Sequence, residues 1–139
     1  MKVFCVILIL IPQLALADRC PDLSGKYTIQ GQDGQAVHLS IDQDECLYIS
    51  IERSSSNQGK NVKDKHTFAL DGVLHPGSLG GSTEQSRSSA RFVGGKLELT
   101  VASSSGDVIS KETWQPLKDK SIEIKDMKGG TILAKKGRR

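Results

Sequence analysis

The chain has 139 residues, a formal net charge of +3 and 37% apolar residues. A chain this long sustains one domain, burying roughly two thirds of the surface that it exposes when unfolded. Multi-domain, transmembrane and coiled-coil architectures are excluded, because no apolar run approaches the ~18 residues of a bilayer span and no heptad repeats.

Lys2, the apolar run from Val3 to Ile11 and the small-x-small triplet Ala15, Leu16, Ala17 read as a signal peptide over residues 1–17. Cleavage there starts the mature chain at Asp18 and predicts a secreted or periplasmic protein. The remaining 122 residues keep all 16 acidic groups and lose only Lys2, so their net charge is +2. Asp18 and Arg19 before Cys20 are a poor match to a lipoprotein site. Removal of Cys5 leaves Cys20 and Cys46, which in an oxidising compartment are expected to form one disulfide closing a 27-residue loop. No Cys-x-x-Cys points to redox chemistry.

Past the leader, apolar and polar residues alternate in short runs punctuated by turn residues. Tyr27 and Ile29 begin the pattern, and Val37, Leu39 and Ile41 follow the turn at Gln32, Asp33 and Gly34. Leu47, Ile49 and Ile51 come after a second turn at Gln43, Asp44 and Glu45. Phe68 and Leu70, then Ala90 and Phe92, then Leu97, Leu99 and Val101 continue it. Less regular runs at 108–117, 121–125 and 131–134 complete about nine strands. Ser82 and Gln85 have capping-box spacing, but no apolar stripe follows for a helix to bury. The prediction is an all-β, antiparallel up-and-down meander forming an eight- to nine-stranded barrel over residues 18–134. Val37, Leu39, Ile41, Leu47, Ile49, Ile51, Leu97, Leu99 and Val101 are expected to point inward, since one wet apolar face per strand is otherwise unrelieved. Ser54–Lys65 and His75–Ser89 read as long loops, and 135–139 as a basic tail.

The mature start carries Cys20, Leu23, Ser24, Gly25, Lys26, Tyr27 and Thr28, then a Gly34 turn and an alternating strand. This opening resembles that of the calycin-type barrels, the lipocalins and avidins, and is closer to the avidins. The resemblance implies a barrel with a ligand-binding precedent. It does not carry biotin binding: Ile29 follows Thr28, Gln35 follows Gly34, and Trp114 is the only tryptophan. The later lipocalin motifs are also absent.

Catalytic constellations are missing. His38, His66 and His75 have no metal-ligand spacing, and the serines lack a Gly-x-Ser-x-Gly elbow. Asp42, Asp44 and Glu45 cluster at a turn without a Ca²⁺-loop pattern. No Gly-rich turn opens a helix for a nucleotide, so neither an enzyme nor a cofactor is expected. Among the aromatics, Trp114 has Glu112 on its own face of a strand. It is either barrel filler or a cavity wall, and a ligand site would draw on Trp114, Tyr27, Phe68 and Phe92. The leading expectation is a secreted barrel holding a small apolar or amphipathic ligand. The rival is a packed barrel that grips a protein through its loops, and internal volume separates the two. Lys135, Lys136, Arg138 and Arg139 offer weak contact with an anionic surface, with no specific nucleic-acid binding expected.

Overall fold

The computed structural model describes residues 20–31, 34–57, 59–78 and 86–137. Residues 1–19, which hold the expected signal peptide, the Ser82–Gln85 stretch, Arg138 and Arg139 lie outside the described residues. Ten strands follow in chain order: β1 Gly25–Gln30, β2 Ala36–Asp44, β3 Tyr48–Asn57, β4 Lys60–Ala69, β5 His75–Pro76, β6 Arg87–Val93, β7 Lys96–Ala102, β8 Val108–Pro116, β9 Ile122–Asp126 and β10 Thr131–Lys136. No described residue is helical. The strands form one antiparallel sheet in the order β4-β3-β2-β1-β10-β9-β8-β7-β6-β5, curled into a half-barrel. Neighbours follow the chain except where β1 pairs β10, which joins the two ends of the described chain.

Period-two alternation explains the core. Leu39, Ile41, Ile49, Ile51, Leu97 and Leu99 are buried, together with Leu23, Tyr27, Phe68, Trp114, Ile122 and Ile124. Each such side chain contributes about 1.5–3 kcal/mol over its exposed state. Val37 and Val101 share the inward parity but lie nearer the strand ends and are half-buried. Leu47 departs from expectation, with 60% exposure. β2 runs on to Asp44, so the turn spans 45–47 and takes Leu47 off the ladder.

Three further expectations are corrected. Most of Ser54–Lys65 is strand: β3 runs to Asn57 and β4 starts at Lys60, because the two continue the ladder that Ile49, Ile51 and Phe68 anchor in the core. His75–Ser89 contributes β5 and the start of β6. Lys135 and Lys136 belong to β10, where they pair with Thr28 and Tyr27.

Antiparallel order sends the links 45–47, 70–74, 94–95 and 117–121 to one end, the floor, and 31–35, 103–107 and 127–130 to the other, the mouth. The Cys20–Cys46 disulfide ties the entering chain across the floor. Gln43 clamps it: its Oε1 accepts from Leu23 N at 3.0 Å, and its Nε2 donates to Pro21 O at 3.1 Å. The buried Tyr27 hydroxyl donates to Leu23 O at 2.8 Å. Lys136 Nζ sits 5.9 Å from the Tyr27 ring centroid and donates to Ser24 O.

The sheet does not close by hydrogen bonds between β4 and β5. β5 has two residues, and Pro76 has no N–H with which to continue a ladder. The link after β4 fills the seam instead, with Gly72 N donating to Ala90 O at 2.9 Å.

Candidate functional site

Strand parity gives β8 an inward row of Trp114, Glu112 and Ser110, running from the floor towards the mouth. The register sets these against Leu97, Leu99 and Val101 of β7. On the other side of the half-barrel, β3 presents Ile49, Ile51 and Arg53 in the same direction, and β4 presents Phe68 and His66. The lower part of this interior is solid. Trp114 is 1% exposed, and Ile49, Ile51 and Leu97 are fully buried.

Above it the packing stops. A hollow of about 290 Å³ lies between β3, β4, β7 and β8. Phe68, Leu99, Val101 and Ile109 supply an apolar wall; Arg53, Glu112, Ser110, Ser78 and Ser86 supply the polar part. The two charges face one another, with Arg53 Nη2 3.9 Å from Glu112 Oε2. The same carboxylate oxygen accepts the Trp114 indole N–H at 2.9 Å. A chain of contacts therefore runs from the mouth to the buried tryptophan. At that separation, between partly exposed side chains, the ion pair contributes only about 0–1 kcal/mol. A ligand head group can displace it cheaply.

His66 packs edge-on against Phe68, with ring centroids 4.6 Å apart and planes at 73°. Gly77 covers the other side. A Cβ built there would lie 2.8 Å from His66 Cε1, and its φ of +99° is a conformation for which glycine is suited. Burial pushes the His66 imidazole below its ordinary range, and Asp64 opposes this in part. A lowered histidine pKa means that the unfolded chain binds more protons between the folded value and about 6.5. Stability should therefore fall as the pH drops through 6.5. Urea midpoints at pH 7.5 and pH 5 should differ more in the native protein than in His66→Phe. Equal differences would show that His66 titrates as it does in the unfolded chain.

The structure brings together only part of the aromatic set expected of a site. Phe68 lines the hollow. Trp114 reaches it through Glu112 and forms no wall, since the β7–β8 and β8–β9 pairings bury its ring beside Leu97 and Ile124. Tyr27 belongs to the floor, and Phe92 pairs with Leu97 at the floor end of β6. Arg53 is the functional residue that the sequence conceals, because it borders the polar stretch that starts at Ser54. The period-two series Ile49, Ile51, Arg53 was the signal for its inward position. Among the described residues no group of His, Cys, Asp and Glu could hold a metal ion.

No family model, curated protein or solved structure matches this chain.

Proposed function

We propose that the protein is a secreted, non-enzymatic carrier of a small amphipathic molecule, bound in the mouth of the half-barrel. The observation that carries this reading is the two-sided lining of the hollow: four apolar side chains on one part and the loosely paired Arg53 and Glu112 on the other. An apolar tail against Phe68, Leu99 and Val101 keeps its contacts out of water, and a polar head replaces the weak ion pair. At ~30 Å³ for each water-sized group, the volume suits on the order of ten such groups. That is a short-chain amphiphile. The leader-like start and the disulfide support an extracytoplasmic location, and the calycin-like opening supports the carrier class.

The test is a titration with decanoate, decanol and decylamine, followed by Trp114 fluorescence and by calorimetry. A ligand that moves Glu112 alters the indole N–H bond, so a saturable fluorescence change is expected. Phe68→Ala should weaken binding about tenfold or more, through loss of an aromatic surface worth ~1.5–3 kcal/mol. No heat and no saturable signal across the three compounds would remove the carrier reading.

A protein partner is the second reading. The observation favouring it is a set of large apolar side chains at the floor end, Leu47, Tyr48, Val73, Leu74 and Val93, all exposed. Leu70 N donates to Leu47 O, and Gly72 N to Ala90 O, which hold the three segments bearing them side by side. Exposed apolar clusters of this kind mark interaction sites.

A further inference from the structure

Two further hollows lie outside the barrel. One of about 560 Å³ and one of about 370 Å³ adjoin on the outer face of β1 to β4, and His38, Glu52 and Ser54 line both. The register lays the outward side chains in two rows. The first runs Lys135, Thr28, His38, Ser54, Lys63 across five strands; the second runs Lys26, Ser40, Glu52, Lys65 across four. At ~4.8 Å per strand, the first row spans about 19 Å between its terminal lysines. Cations therefore flank a middle made of hydroxyls and an imidazole. Glu52 is the one acid of the two rows, and Lys63 pairs with it at 3.3 Å. The next row towards the floor adds Asp42, opposite Ser50.

We propose that this groove binds an anionic polysaccharide. Spaced lysines meet spaced anionic groups, while Thr28, Ser40, Ser54 and His38 supply donors and acceptors for sugar hydroxyls. Shape separates this occupant from a membrane surface, since a groove admits a single chain and a planar bilayer bridges it. Single-stranded nucleic acid needs exposed aromatic faces for base stacking. The aromatic residue lining the groove, Tyr27, is 4% exposed and turned inward. The proposal is independent of the mouth and its ligand.

The experiment uses the full mature protein with dextran sulfate, uncharged dextran and phosphatidylglycerol vesicles, with circular dichroism confirming the fold of each variant. Dextran sulfate should bind, more weakly as salt rises, and uncharged dextran should not. Each lysine removed should cost about fivefold, as for a cation near an anionic surface, so Lys26→Gln with Lys135→Gln should lose about twentyfold. Lys96→Gln with Lys118→Gln, at the floor end, should lose nothing. Glu52→Gln should bind about fivefold more tightly by releasing Lys63, a gain that damage to the fold would not produce. Absence of binding to dextran sulfate, equal losses in the two double variants, or binding to the vesicles alone would each overturn the proposal.

Discussion

Replacing Trp114 with alanine should lower the unfolding free energy by about 3–5 kcal/mol, the range for removing a large aromatic side chain from a packed core. The reason lies in its position. Trp114 is 1% exposed and pairs across two ladders with Leu97 and Ile124, both of them core residues. Neither neighbour can move into the space without leaving its own strand register. The change also deprives Glu112 of its indole donor, leaving a half-buried carboxylate with Arg53 at 3.9 Å as its partner. Trp114→Phe isolates that second effect, because it keeps most of the ring volume and loses the N–H. Its cost should be about 1–3 kcal/mol, the penalty for an acceptor that loses its partner. Glu112→Gln should remove part of the difference between tryptophan and phenylalanine, which a double-mutant cycle reads directly. Urea unfolding followed by circular dichroism supplies the measurement, since the variants lack the fluorophore. A loss below 1 kcal/mol for Trp114→Ala would mean that the ring lines open space.

Where one face of a strand is apolar and the other polar, the fold was legible from residue types alone. Val37, Leu39 and Ile41, or Leu97, Leu99 and Val101, leave a strand one way to lie. The same logic places Glu112 on the face of Trp114. It fails where both faces are polar. Ser54 to Lys65 has Val62 as its single apolar residue, so hydrophobic alternation is silent there. Those residues extend because β3 and β4 continue a ladder nucleated by Ile49, Ile51 and Phe68. Arg53 borders that stretch, so one of the two charged residues of the mouth's lining stays out of view with it. Leu47 failed for the opposite reason: its apolar character fitted the alternation, but the turn at 45–47 claimed it. The outer groove was the least visible feature. Lys135, Thr28, His38, Ser54 and Lys63 are scattered over more than a hundred positions, and only the β1–β10 pairing makes them a row.

Removing the Cys20–Cys46 disulfide should cost about 3.5 kcal/mol. The two residues are separated by 26 positions, and the chain-entropy model assigns that much to the freedom regained by an unfolded loop of this length. Cys20→Ser with Cys46→Ser in urea, and reduction of the unaltered protein, should agree. The loss is large beside the noncovalent ties at the same place. Each hydrogen bond made by Gln43 and Tyr27 to residues 21–23 contributes a net of about 0.5–1.5 kcal/mol. Those bonds hold the entering strand over the floor once it is there; the disulfide chiefly limits how far it strays when the chain is unfolded. The cross-link also stands at the opposite end of the half-barrel from Arg53 and Glu112. Reduced protein that is still folded should therefore bind a short amphiphile with unchanged affinity while unfolding at lower urea. A parallel loss of both would tie the shape of the mouth to the anchoring of the floor. Stability lost without loss of binding would separate the cross-link, which acts on the unfolded chain, from the geometry of the site.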